Sequence, residues 1–382
     1  MVFLTILLWF SFSGLLYIYL GYPIILFLFS LFRSKHKGIS RYGNSPSVTL
    51  IIPARNEEKV IEQKIENCLA LEYCEEELEI IILSDQSTDR TAEIVRYYQS
   101  DRIKLIELKE RYGKTAAQNL AVKQARGEII VFSDANAMYK PDALEMLVRH
   151  FQDATVGCVC GELCYSKAGE SAVVKEEGLY WSYEKFLKRC ESSFFSIVGA
   201  NGSIYAIRKT DYHPLSPDVI SDFIEPLEIV RQGKKAVYES YAISIEDTSA
   251  SFREELIRKR RIIARSIYSI LKHKTLLNPI HCFPLFFELV SHKILRWLSP
   301  IFQILLFLSN LILFIQGYYQ SIFILQCLFY GLSLIGWMFS HKKYLPSSLF
   351  IPFYFNLISY ASLLGMIDWV RKKHAIFWEP VR

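Results

Sequence analysis

Three short polar stretches carry the residue types that handle phosphate and metal: Pro53-Ala54-Arg55-Asn56-Glu57-Glu58, Ser84-Asp85-Gln86-Ser87-Thr88-Asp89 and Ser133-Asp134-Ala135-Asn136. Asp134 and Asn136 stand two residues apart, an oxygen pair suited to a hard divalent cation. Lys114 opens a helical pattern in Gly113-Lys114-Thr115, and a helix N-terminus beside an ammonium suits phosphate. Taken singly, each loop could hold no more than helix-capping residues. The set becomes informative because each loop follows an apolar strand.

The strands read as Val48–Ile52, Leu78–Leu83, Ile103–Leu108 and Glu128–Phe132. Helical spacing predicts helices over Glu57–Leu71, Thr88–Tyr98 and Thr115–Ala125, and Pro141 opens another at a favoured first-turn position. Near-continuous apolar strands alternating with helices predict an α/β unit with a mostly parallel sheet covered on both faces. Ligands of such sheets bind beyond the carboxyl ends of the strands, where the three loops lie. Neither a P-loop nor a G-x-G-x-x-G pattern occurs there, so the commoner nucleotide fingerprints are missing.

The remainder of the chain is apolar. Of 382 residues, 51% are hydrophobic, and the mean hydropathy is +0.18. No charge occurs in residues 1–32, 297–340 or 344–367, and runs of that length read as membrane spans. The first run, residues 1–32, is too long for a secretory h-region and has no basic n-region, so an uncleaved helix is expected, tilted or broken near Gly21-Tyr22-Pro23. Arg33, Lys35, Lys37 and Arg41 follow it and place that end on the cytoplasmic side. Residues 281–298 mix apolar and charged side chains like an interfacial helix, and residues 299–369 hold about three helices, with a break expected at Gln316–Gln320. Three C-terminal spans would leave Arg371-Lys372-Lys373 outside, so either a further segment enters the membrane or the first run crosses twice. The net charge of +5 is too mild and dispersed for nucleic acid. Cys158, Cys160 and Cys164 lack a second metal-ligand pair and read as small hydrophobes on a buried strand.

The succession Val48-Thr49-Leu50-Ile51-Ile52-Pro53-Ala54-Arg55-Asn56-Glu57, Ser84-Asp85-Gln86-Ser87-Thr88-Asp89, Gly113-Lys114-Thr115-Ala116-Ala117-Gln118-Asn119 and Phe132-Ser133-Asp134-Ala135-Asn136 resembles the family 2 glycosyltransferases. It continues through Gly199-Ala200-Asn201-Gly202-Ser203 and Ile220-Ser221-Asp222-Phe223, covering roughly residues 47–265. A catalytic domain (45–270) between an N-terminal transmembrane segment and C-terminal helices resembles the polysaccharide-synthesising members. The resemblance implies a GT-A-like fold that binds a nucleotide sugar. It implies that Pro53, Arg55, Asn56, Glu57 and Asp85 cradle base and ribose, that Lys114 contacts the nucleotide, and that Asp134, with Asn136, binds Mg²⁺ or Mn²⁺ on the diphosphate. It implies that Asp222 deprotonates the acceptor hydroxyl, in a single inverting displacement. A carboxylate for metal and another for base is the minimum such a displacement requires; as the alternative, Asp222 is a helix N-terminal carboxylate.

Departures stand beside the match. Asn136 replaces the second Asp of the family's D-x-D motif, and Ser84-Asp85-Gln86 stands where many relatives have Asp-Asp-Gly. The Gln-x-x-Arg-Trp of processive synthases is absent; Ile257-Arg258-Lys259-Arg260-Arg261-Ile262 occupies its place, with Arg260 and Arg261 as candidate diphosphate or headgroup ligands. Trp181, Tyr183 and Glu184 could line an acceptor subsite or pack a helix. The expected protein is a multi-pass cell-membrane hexosyltransferase with a cytoplasmic catalytic domain. It would take sugar from a nucleotide-diphosphate donor, a UDP-sugar, to a lipid-linked or growing glycan acceptor in polysaccharide biosynthesis. The alternatives are transfer to polyprenyl phosphate, or a non-catalytic membrane subunit that keeps the fold.

Overall fold

The computed structural model describes residues 1–32, 45–165, 172–247, 251–340 and 345–373. Eight strands form one sheet: β1 (Val48–Ala54), β2 (Leu78–Asp85), β3 (Ile103–Leu108), β4 (Ile129–Phe132), β5 (Met138–Tyr139), β6 (Val156–Tyr165), β7 (Tyr205–Arg208) and β8 (Lys235–Glu246). Their order is β3-β2-β1-β4-β7-β6-β8-β5. The first four pair in parallel, with Leu50 opposite both Ile80 and Val131. Alternate residues feed two cores. Leu50, Ile52, Ile80 and Val131 face the helices Ile61–Leu69 and Ala143–Val148; Ile51, Ile81, Ile130 and Phe132 face Lys114–Gln124 and Ser221–Arg231. Burial on both faces is why these strands read as unbroken apolar runs.

The sheet is mostly parallel by pairing, and its antiparallel pairs all lie in the other half. β7 runs antiparallel to both β4 and β6, and β5 antiparallel to β8; β6 and β8 are parallel. The long excursion after β6, including the helix Ala172–Phe194, ends at the edge where β6 ends, with Gly161 N–H donating to the Ile204 carbonyl. The chain must therefore run back along β6 to make β7. Cys158 and Cys160 lie fully buried on β6.

The apolar ends are helical. Val2–Phe32 is one helix of 31 residues with a widened turn at Tyr17–Gly21, just before Pro23, which cannot donate to the helix ladder. Gln320–Met338 and Ser347–Val370 are also long and apolar enough to cross a membrane. Phe283–Trp297 and Ser299–Ile315 meet at a 55° bend and make a fourth candidate if they are one broken span. The turn between Ser299–Ile315 and the next helix uses two left-handed residues, Gly317 and Tyr319. The 281–298 segment differs from an interfacial helix with solvated charges. Glu288 and His292 are buried, and Leu285 and Leu289 join the second core of the sheet. Ser347–Val370 runs beside the helix Phe252–Lys272: Phe353 packs on Phe252, and the Asp368 carboxylate takes the guanidinium of Arg260. Arg33, Lys35, Lys37, Arg41 and His341-Lys342-Lys343 lie outside the described residues.

Candidate active site

The loops after β1 and β2 are stitched together. Arg55 Nη1 donates to the Asp85 carbonyl at 2.8 Å, and Asn56 Oδ1 accepts from Thr88 N at 2.8 Å with Asn56 in a left-handed conformation. The Asp85 carboxylate takes the backbone N–H of Tyr112 and of Gly113, at 2.8 and 2.9 Å. Those bonds fix the turn at Gly113, whose φ of +83° suits glycine, and so aim the first residue of the next helix, Lys114. Lys114 Nζ lies 2.5 Å from Asp134 Oδ1 at the end of β4. Pro53, Arg55, Glu57, Asp85, Lys114, Asp134 and Asn136 line one small pocket of about 30 Å³. Asn56 is spent on the loop–loop bond and does not line it.

On the far side of Lys114 the helix Ser221–Arg231 presents Asp222 in its first turn. The helix is held there by Ser221 Oγ donating to Gln118 Oε1 at 2.6 Å, and the Asp222 carbonyl accepts from Ala200 N at 2.8 Å. Gly202 closes the gap: a Cβ at that position would stand 2.5 Å from Asp222 Oδ2 and 2.9 Å from Lys114 Nζ. Only a residue without a side chain lets the two charges approach over this backbone. Burial raises the Asp222 carboxyl above its ordinary value, with Lys114 opposing and Asp134 adding to the rise. Burial alone would lower Lys114, but Asp134 and Asp222 hold it above the usual lysine value.

A second, larger cavity of about 350 Å³ begins at Asp134 and Asp222 and extends to the apolar helices. Glu246, at the end of β8, lines it and is pushed up to about 7 by burial and by Asp134. Trp181 and Glu184 also line it, whereas Tyr183 packs on the N-terminal helix beside Tyr17 and Tyr22. Glu246, Lys188, Lys293 and Arg296 carried no motif in the sequence; the fold alone assembles them. Arg258 and Lys259 line this cavity, but Arg260 and Arg261 line neither space. The expectation that those two reach the donor is corrected by helix geometry. One residue is a turn of about 100°, which aims Arg260 at Asp368 instead.

Among the described residues no three His, Cys, Asp or Glu converge as a protein-only metal site. The oxygens of Asp134 and Asn136 fit a different arrangement: a Mg²⁺ or Mn²⁺ held by one or two side chains that takes its other ligands from substrate phosphate and water.

Residues 49–212 match the family model of Glycosyl transferase family 2. This segment is a family 2 glycosyltransferase domain. The chain is 28% identical over 181 residues, 46% of its length, to a beta-monoglucosyldiacylglycerol synthase of Nostoc sp.. It is 34% identical over 116 residues, 30% of its length, to a poly-beta-1,6-N-acetyl-D-glucosamine synthase of Staphylococcus aureus. The aligned segments span only 39% and 28% of those relatives' own lengths. The whole architecture, apolar helices included, is similar to the mannosyltransferase PcManGT of Pyrobaculum calidifontis, solved with GDP-Man and Mn²⁺. The TM-score is 0.75 at 20% identity, over 96% of this chain and 99% of that one. The fold of this glycosyltransferase domain is therefore of the GT-A type.

Proposed function

We propose that the chain is a membrane-anchored inverting glycosyltransferase that moves a hexose from a UDP-sugar to a lipid-linked or growing glycan acceptor. The observation that carries this reading is the placement of two carboxylates, Asp134 and Asp222, on either side of Lys114 at the carboxyl edge of the sheet. The pocket of Pro53, Arg55, Glu57 and Asp85 takes the nucleoside, and Lys114 meets the diphosphate. Asp134 and Asn136 would hold a Mg²⁺ or Mn²⁺, whose charge would stabilise the leaving diphosphate. The acceptor oxygen attacks the anomeric carbon and gives its proton to Asp222. The bond from that carbon to the diphosphate breaks, and its electron pair leaves on the diphosphate. One displacement inverts the centre.

Titrating the detergent-solubilised chain with UDP, with Mn²⁺ and then with chelator, tests the donor half. Chelation, or Asp134→Ala, is expected to weaken UDP by roughly 10- to 100-fold, the loss of one charge-assisted contact. Absence of binding with UDP and with GDP, metal present, would overturn the UDP-sugar reading and favour the non-catalytic one. The basic residues that follow the first helix in the sequence support a cytoplasmic catalytic unit. Its exposed Cys74 should resist an impermeant maleimide in intact cells and react after permeabilisation, in a Cys327→Ser background. Labelling in intact cells would reverse that orientation.

A further inference from the structure

A charge interrupts the apolar face of the helix Ile61–Leu69. Ile61, Ile65 and Cys68 join the first core of the sheet, and Lys64 stands three or four residues from Ile61 and Cys68, on the same face, with no exposure at all. Lysine is almost never fully buried unless it is paired. An apolar side chain there would fill the core without the cost of drying an ammonium. Lys64 Nζ donates to the Ala137 carbonyl and lies 4.1 Å from the centre of the Tyr139 ring. Its counter-charges act through space: burial lowers the ammonium below the usual lysine value, and Asp134 and Glu246 are among the groups opposing that fall.

The carbonyl that Lys64 holds belongs to the turn carrying Asp134 and Asn136. Ala137 N–H donates back to the Asp134 carbonyl at 3.2 Å, so the turn closes at Ala137. Its start is fixed by Ser133 N–H, which donates to the Ile51 carbonyl of β1 at 3.0 Å. Beyond its end, Asn67 exchanges two hydrogen bonds with the Tyr139 backbone, at 2.7 and 2.8 Å, from one turn along the same helix. The Tyr139 hydroxyl donates to the Ser203 carbonyl at 3.0 Å. A divalent ion that takes only one or two side chains tolerates little error in how they are presented. Groups behind the ligands commonly govern such affinities by tenfold or more.

We propose that Lys64 and Asn67 are positioning residues for the divalent cation: from inside the core they fix the turn Asp134–Ala137 and the strand beyond it, and so the presentation of the Asp134 and Asn136 oxygens. That this turn takes Mg²⁺ or Mn²⁺ rests on the transferase reading above; that the helix holds the turn does not. Charge and position pull in opposite directions at Lys64. Acting only as a charge, Lys64 would repel the ion, and its removal would tighten binding. Acting as a support, its removal loosens binding.

The test compares the full chain in detergent with its Lys64→Met and Asn67→Ala variants by two readouts. Hydrogen exchange read by mass spectrometry follows the turn with no ligand present. Exchange across residues 133–139 is expected to quicken by about tenfold in Lys64→Met, the loss of one hydrogen bond from a charged donor, and by less in Asn67→Ala, with β1 and β2 unchanged. Calorimetry then gives the ratio of UDP affinities with Mn²⁺ and with chelator. That ratio should fall by about tenfold in Lys64→Met, while the affinity in chelator changes by less than about threefold. A ratio that rises would make Lys64 a charge alone and overturn its positioning role. Unaltered exchange at 133–139 would overturn it too, as would quickening spread evenly over the sheet, which marks an ordinary core residue. Should Lys64→Met not fold, Asn67→Ala, at a partly exposed position, decides: no change in exchange or ratio there would overturn the helix's hold on the turn. A wild-type chain whose UDP affinity ignores Mn²⁺ would overturn the cation reading of Asp134 and Asn136, and the exchange data would still decide whether the helix holds the turn.

Discussion

The small pocket, proposed above for the donor, and the larger cavity share Asp134 but are built in opposite ways. The pocket is made of four loops, each a few residues long and each following a strand, all between Pro53 and Asn136. The cavity draws on Tyr19, Lys188, Asp222, Glu246, Lys293 and Ser362, and so on nearly the whole length of the chain. Fixing a nucleotide takes backbone turns, and β1, β2 and β4 place those turns side by side automatically. The larger cavity is instead closed by helices from both ends of the chain, two of them long and apolar enough to cross a membrane. The two regions therefore fail in different ways when altered.

Asp222→Asn breaks the comparison most sharply. Asp222 lines the cavity and not the small pocket, so under the proposed role as base its loss should lower transfer by about a thousandfold, within the range for a removed general base. UDP affinity should change by less than about threefold, since no donor contact is removed. Single-turnover transfer from a radiolabelled UDP-sugar, beside a UDP titration, reads both quantities. An Asp222→Asn variant that loses UDP as severely as Asp134→Ala does would mean that the two regions are one site, and Asp222 would no longer be the base.

That division also explains what the sequence could and could not disclose. Pro53, Arg55, Glu57, Asp85, Lys114, Asp134 and Asn136 converge because strand alternation and the loop rule for parallel sheets are local signals. The break at Gln316–Tyr319 was legible for the same reason, glycine being adjacent to two apolar runs. Lys293 and Glu246 carry no such signal. Each is an ordinary charged residue in an amphipathic stretch until distant helices pack around it. The four-residue β7 is too short to show a direction by periodicity. Arg260 is not legible in the same way, because a run of four cations on a helix points to every side at once and the position of Asp368 selects which of them turns away.

Carboxylates give the finest form of the contrast. Burial raises Asp222, and the nearest cation, Lys114, also lies beside Asp134, so the rise is only partly opposed. Burial pushes at Glu239 too, but there the scaffold answers it. His150 Nε2 and Arg149 Nη2 lie 2.6 Å from its carboxylate, the Tyr241 N–H donates at 2.8 Å, and the group falls to about 2. Its folded value is thus depressed below the unfolded one of about 4.3. The stabilisation it gives is complete above that value and is lost as pH falls from there towards 2. The difference corresponds to about 3 kcal/mol at most. Glu239→Gln should therefore unfold at lower denaturant than wild type at pH 7, with a gap that narrows as both are taken to pH 3, while transfer at pH 7 is unchanged because Glu239 lines neither space. Equal gaps at both pH values would show that the carboxylate is not titrating against its partners there. A loss of transfer at pH 7 in a fully folded variant would be worse for the argument, because it would mean that the scaffold and the site do not divide where the two cavities say they do.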